Sequence, residues 1–123
     1  MKIWNVTSSY NVLLENKNQP SFGANISEID QQAKLAFAKL GRDFADAFEK
    51  KMPEIKDMKW EDSDVNLKFI GDNFSRNILV RASGQNNEHF VGFSMFNIDR
   101  CKENESQIDF LMKRIRVAID NIR

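Results

Sequence analysis

Three alternating segments in the second half of the chain, separated by short turns, constrain its fold most strongly. Apolar residues occupy every second position at 65–69 and again at 78–82, where Leu79 and Arg81 lie between them, and a third segment follows at 88–101. Successive side chains of a strand point to opposite faces of a sheet, so this pattern is typical of half-buried strands. The connecting sequences GDN and SGQNN are short turn signals, which favour antiparallel neighbours. We therefore expect a three-stranded meander.

The third segment, EHFVGFSMFNIDRC, differs from the other two because both of its faces are apolar. One parity includes Val91, Phe93 and Met95, and the other includes Phe90, Phe96 and Ile98. A strand that is apolar on both sides is usually covered on both sides. We expect this strand to be the most buried one, or to meet a partner with its second face. The cover is then either the N-terminal segment with Trp4 and Tyr10 or another molecule.

An apolar stripe at helical spacing precedes the meander. Its members are Ile29, Ala33, Phe37, Leu40, Phe44, Phe48 and Met52. Residues that recur every three or four positions line one face of an amphipathic helix. Ser27, followed three positions later by Asp30, predicts the start of this helix as a variant capping box. Pro53 predicts its end, because proline lacks an N–H and clashes with the preceding turn. Gly41 lies inside the stripe, where it costs about 1 kcal/mol relative to alanine.

A second helical stripe occupies residues 104–122. Its apolar members are Ile108, Leu111, Met112, Ile115, Ala118, Ile119 and Ile122. On the other side of this helix, Asp109 faces Lys113 and Arg116 faces Asp120, each pair four residues apart. These charges cancel locally. We therefore interpret the polar side as the solvated face of a packed helix rather than as a basic recognition helix.

Residues 2–14 also alternate and predict a strand, and the sequence ENKNQPSFGAN that follows predicts a loop. The complete predicted order is β-α-β-β-β-α in a single domain, residues 1–123. The two amphipathic helices need an apolar surface to cover, and an antiparallel sheet of three to four strands supplies one. We therefore predict an α+β fold, a two-layer sandwich.

The composition excludes several function classes. Lys plus Arg and Asp plus Glu are equal at 18 each, which removes the excess positive charge that general nucleic-acid binding requires. A single cysteine cannot form an internal disulfide, which favours a reducing compartment. No apolar run approaches the roughly 20 residues of a spanning helix. We expect a soluble, cytoplasmic protein with no membrane contact.

The residues that carry catalysis are sparse. The only histidine, His89, and the only cysteine, Cys101, lie at opposite ends of the third predicted strand. At about 3.3 Å per residue they are on the order of 30 Å apart, which is too far for a nucleophile and its base. One His and one Cys do not make a structural zinc site, and no glycine-rich phosphate loop or calcium loop appears. We therefore expect no enzymatic activity, no cofactor and no metal.

The connector between the first helix and the meander, residues 54–64, is the acidic part of the chain. An aromatic residue surrounded by charge has the composition of a binding hot spot. The candidate partner-binding residues are Asp57, Trp60, Glu61, Asp62 and Asp64. In the opposing interpretation Trp60 packs on the core while the carboxylates stay in water.

Small domains of this kind in bacteria and phages are often dedicated binders. We therefore expect an immunity or inhibitor-type protein that neutralises a partner protein, a toxin or an enzyme. The acidic segment would block a basic surface sterically and electrostatically.

Two alternatives remain open. The first is a nucleic-acid-binding module that uses an open face of the sheet, with Lys68, Leu79 and Arg81 as its candidate residues. The second is a self-associating assembly subunit, a homodimer in which the last strand or the C-terminal helix pairs across a two-fold axis.

Overall fold

The structure is a computed structural model that describes residues 23–72, 74–84, 91–100 and 106–123. Its elements are β1 (Ala24–Ile29), α1 (Gln31–Lys39), α2 (Arg42–Lys56), β2 (Val65–Asp72), β3 (Asn77–Gly84), β4 (Val91–Asn97) and α3 (Gln107–Asp120). The predicted α+β sandwich is confirmed, but the order is β-α-α-β-β-β-α, with three helices in place of two. The strand predicted at residues 2–14, with Trp4 and Tyr10, lies outside the described residues.

The four strands form one sheet in the order β1-β2-β3-β4. The predicted meander is confirmed, because β2 pairs antiparallel with β3 and β3 pairs antiparallel with β4. The prediction of a wholly antiparallel sheet is wrong, because β1 pairs parallel with β2. The cause is the connection: α1 and α2 together return the chain to the end of the sheet where β1 began, as a crossover between parallel strands requires.

The first helix begins later than predicted. Ser27 belongs to β1, and Asp30 is the N-cap of α1, where its Oδ1 accepts a hydrogen bond from the Ala33 N–H at 2.7 Å. Both residues are of the type that caps helices. The structure uses the second one because the segment before it is buried as a strand, with Ala24 and Ile26 in the core.

The predicted single helix of residues 27–52 is two helices. α1 ends at Lys39, and Gly41 is the N-cap of α2 with φ +92°, a conformation that residues with a Cβ rarely adopt. Pro53 does not end α2, which continues to Lys56. Proline removes a hydrogen bond only from the turn before it, and the next turn still closes, since the Asp57 N–H donates to the Pro53 carbonyl at 3.2 Å.

All three helices pack on one face of the sheet, and the core lies between the two layers. Phe37 of α1 is central: its ring centroid lies 5.8 Å from that of Phe48 in α2 and 5.7 Å from that of Phe69 in β2. Phe96 of β4 packs in turn against Phe110 of α3 at 5.6 Å. Each fully buried aromatic side chain contributes roughly 2–3 kcal/mol from apolar burial.

The described residues include no helix long and apolar enough to cross a bilayer.

The helix α3 lies directly on β4. Ser106 caps it, accepting a hydrogen bond at Oγ from the Asp109 N–H at 3.2 Å. A Cβ added at Gly92 would overlap the carbonyl oxygen of Ala118, so the absence of a side chain lets the helix backbone approach the strand. This contact fixes one face of β4 against helix and leaves the other face turned away.

Candidate functional site

The sheet face turned away from the helices is the main candidate binding surface. We call it the open sheet face, and its central members are Glu28, Lys68, Ile70, Leu79, Arg81, Val91, Phe93 and Met95. The polar Asn66 and Ser83 lie on the same face. The pleat of each strand defines it, because the intervening residues of β2, β3 and β4 are buried in the core and these residues alternate with them.

An apolar row crosses the open sheet face over three strands. Ile70 is opposite Leu79, and Leu79 is opposite Met95, so these three side chains lie side by side. Phe93 lies on the same strand as Met95, and the two are 51% and 42% exposed. These partly and largely exposed apolar side chains on neighbouring strands form a continuous patch, and exposed apolar patches often mark interaction sites.

The two cations of this face are both engaged. The guanidinium carbon of Arg81 lies 5.6 Å from the centroid of the Phe93 ring, a cation–π contact. The Lys68 Nζ lies 3.7 Å from Glu28 Oε1, joining β2 to β1. The face is therefore apolar at one side, at β3 and β4, and charged but internally paired at the other.

The prediction that these residues share one face of the sheet agrees with the strand register. Lys68, Leu79 and Arg81 were expected on one face, and the structure brings them together, with Lys68 directly opposite Arg81. Ile70 was missed, although it has the same parity as Lys68 and is only two residues further along the strand. The expectation that β4 is the most buried strand is wrong for one of its faces, because Phe96 is buried but Phe93 and Met95 are exposed. The alternative, that this second face meets a partner, stays a prediction.

The acidic segment forms a small turn at the end of the α2–β2 connection. Trp60 and Ser63 exchange backbone hydrogen bonds of 3.0 and 3.4 Å, and Glu61 adopts a left-handed conformation with φ +57°. Trp60 is half-buried and packs against the core. The indole therefore anchors the turn, while its polar neighbours point outward.

The carboxylates of this segment have different surroundings. Asp64 accepts a hydrogen bond at Oδ1 from the Gly23 N–H at 2.6 Å, which ties the start of β1 to the start of β2. Asp57 is the C-cap of α2. Asp57, Glu61 and Asp62 are exposed. Binding of a partner through this segment stays a prediction, and these three side chains are the ones open to it.

The β2–β3 turn presents a further aromatic side chain that sequence reasoning missed. Phe74 is 100% exposed at this turn. Asp72 holds the turn: its carboxylate accepts hydrogen bonds from the Ser75 hydroxyl at 2.7 Å and from the Phe74 N–H at 3.0 Å. These bonds, the Ser75 bond first, lower the pKa of Asp72. The signal in the sequence was the aromatic residue inside the turn GDNFSRN.

Nearby, Gln32 of α1, together with Asp72 and Arg76, lines a shallow cleft. The Oε1 atom of Gln32 is buried and finds no hydrogen-bond partner among the described residues.

His89 and Cys101 lie outside the described ranges. Within those ranges, no group of three or more His, Cys, Asp or Glu side chains is arranged to hold a metal ion. We compared the chain with protein-family models, curated proteins and solved structures, and none of them matches it.

Proposed function

We propose that this chain is a non-enzymatic protein-binding domain and that the open sheet face is its docking surface. The observation that carries the proposal is the apolar row Ile70–Leu79–Met95, extended by the half-exposed Phe93. Burial of such a row on a partner contributes roughly 25 cal/mol per Å² of apolar surface removed from water. The rigid sheet beneath it limits the entropy lost on binding.

The chemistry of the face favours a protein over a nucleic acid. Phe, Met and Arg are enriched at the centre of protein interfaces, and Phe93, Met95 and Arg81 adjoin one another here. Nucleic-acid grooves instead need a series of cations free to follow the phosphates. Arg81 is stacked on Phe93 and Lys68 is paired with Glu28, so the face offers no such series.

The partner that fits this face has an apolar projection that packs on the row Ile70–Leu79–Met95. We propose an inhibitor or immunity-type role, in which the domain occupies a functional surface of a toxin or an enzyme. Such a role requires affinity and correct orientation and no chemistry of its own. Complementary charge mainly accelerates and orients the encounter, whereas the apolar row sets the lifetime of the complex.

The test compares variants of the open sheet face with matched variants elsewhere. A protein cross-linked to the domain in the cells that produce it is purified and titrated by calorimetry. We expect Leu79→Lys to weaken binding by at least tenfold, about 1.4 kcal/mol, because it places a charge at the centre of the row. Leu35→Lys and Val117→Lys make the same kind of change at exposed helix positions and should leave the affinity unchanged.

Two results would contradict the proposal. One is equal binding by the wild type and Leu79→Lys, which moves the site to another surface, the exposed Glu61 and Asp62 being next. The other is binding of a single-stranded or duplex oligonucleotide that weakens steeply with salt and is lost in Arg81→Ala, which identifies the partner as a nucleic acid. Loss of the partner's own activity on stoichiometric addition of the domain tests the inhibitor role.

A further inference from the structure

The outer edge of β4 is a regular row of backbone donors and acceptors. The Ile98 N–H donates to the Arg76 carbonyl at 3.3 Å, which makes this pair a hydrogen-bonded one. Bonded and non-bonded pairs alternate along an antiparallel ladder. Applied to the register of β3 and β4, this places the amides and carbonyls of four residues on the outer side. They are Val91, Phe93, Met95 and Asn97.

This edge lacks the features by which sheets prevent further pairing. The seven residues of β4, VGFSMFN, include no charge and no proline, and the strand pairs with β3 without a register shift. An edge strand that is regular, uncharged and apolar is a template for another strand. Among the described elements, β4 is the last strand of the sheet, and none pairs with this side.

An orphaned hydroxyl lies at the middle of the same strand. Ser94 points toward the helices, is 6% exposed, and its Oγ has no hydrogen-bond partner among the described residues. Buried hydroxyls are nearly always satisfied. Ser94 is the central residue of β4, so it also lies at the midpoint of the four outward-facing backbone positions.

We propose that two copies of this chain associate through β4, pairing antiparallel about a two-fold axis at Ser94. This register brings all four outward positions into hydrogen-bonded pairs. Phe93 is then opposite Met95 of the second copy, and Val91 is opposite Asn97 of the second copy. Ser94 is opposite Ser94 of the second copy in a non-bonded pair, where facing side chains are closest.

This pairing is self-complementary on both faces of the sheet. On the helix side, each Ser94 hydroxyl gains the other as a hydrogen-bond partner, as cross-strand serines and threonines do. On the opposite side, the Met95 sulfur of each copy contacts the Phe93 ring of the other. The four described strands of each copy then belong to one continuous sheet, and the open faces of the two copies join on one side. The dimer uses the edge of β4 and does not depend on the proposed docking function.

Disulfide trapping in the full chain tests the register. Ser94→Cys, in a Cys101→Ser background, places two thiols across the axis at a separation of Cα atoms that suits a disulfide. Ser83→Cys in the same background is the control, since Ser83 lies on β3, away from the edge. We expect mild oxidation to give a covalent dimer with Ser94→Cys and none with Ser83→Cys. Equal cross-linking of the two would overturn the register.

Sedimentation equilibrium tests the association itself. We expect a reversible monomer–dimer equilibrium for the wild type, weakened about tenfold or more by Met95→Pro, which removes an outward N–H that β3 does not use. Ser94→Ala should weaken association severalfold without lowering the melting temperature of the monomer. A wild type that stays monomeric up to ~1 mM refutes the proposal, since even a millimolar dissociation constant would then be visible. Leu79→Lys should still dimerise, which separates this result from a failure of the docking function.

Discussion

The two edges of the described sheet are built differently. β1 contains a register shift between Ile26 and Glu28, and Glu28 places a carboxylate beside Lys68 of the next strand. β4 is regular, uncharged and apolar. Bulges and charges are the usual means by which proteins prevent edge-to-edge pairing. Among the described residues, β1 therefore carries such protection against a further strand, and β4 does not.

At both edges, nevertheless, a glycine packs closely against a helix carbonyl. A Cβ at Gly23 would overlap the Lys56 carbonyl oxygen, and a Cβ at Gly92 would overlap that of Ala118. We expect Gly92→Ala to destabilise the fold by about 2 kcal/mol through forced separation of strand and helix. Gly23→Ala should cost about 3 kcal/mol, because φ +133° adds backbone strain. Urea denaturation measures both.

Gly41→Ala is the matched control for this comparison. Gly41 has φ +92° but no atom within 4 Å of an added Cβ, so its replacement reports backbone strain alone, about 1–2 kcal/mol. If Gly92→Ala costs less than Gly41→Ala, then β4 is not held tightly on α3. The close approach of Gly92 to the Ala118 carbonyl would then not restrain the strand.

Removing the protective charge of β1 should make the two edges more alike. We expect Glu28→Val to leave the free energy of unfolding within about 0.5 kcal/mol, since the side chain is exposed. It should, however, raise concentration-dependent association in light scattering. Glu49→Val, on the exposed side of α2, introduces the same side chain away from any strand. Equal association of the two variants would show that hydrophobicity, and not the strand edge, is responsible.

The sequence predicted β4 better than β1, and the reason is local. In β2, β3 and β4 the buried residues recur at every second position without a shift, so the period of two is preserved along each strand. In β1 the bulge brings Ile26 and Ile29 to the same face although they are three residues apart, a spacing that is also helical. The spacing of Ile29 therefore fits the apolar stripe of the following helix, and Ser27 has the side chain of a helix cap although it belongs to β1.

Features that depend on tertiary contacts could not be predicted in this way. Gly41 interrupts a stripe whose apolar spacing continues through it, and only the left-handed backbone shows that two helices meet there. The half-burial of Trp60 depends on where the α2–β2 connection lies against the core. The sequence shows that Lys68 and Arg81 lie on the same face of the sheet. It does not show that the Ser94 hydroxyl lacks a hydrogen-bond partner among the described residues, because this depends on the packing of β4 beneath α3.

The smallest difference between the two edges concerns one ion pair near each of them. Lys68 Nζ lies 3.7 Å from Glu28 Oε1 at the β1 side, and Arg76 Nε lies 3.0 Å from Asp99 Oδ2 near the end of β4. All four side chains are largely exposed, so we expect double-mutant cycles to give less than about 1 kcal/mol for each pair. The Arg76–Asp99 pair should couple more strongly, because its guanidinium Nε–H also donates to Oδ1 at 3.1 Å.

The salt dependence of these coupling energies distinguishes an electrostatic interaction from packing of the Arg76 or Lys68 side chain. Both coupling energies should fall toward zero as the ionic strength rises to about 1 M, because screening acts within a few ångströms at that concentration. A coupling at Arg76–Asp99 that persists in high salt would mean that the pair orders the β2–β3 turn against the end of β4 by packing. The β4 edge would then be held in place at its end as well as by Gly92, and its regular geometry would be maintained from both sides.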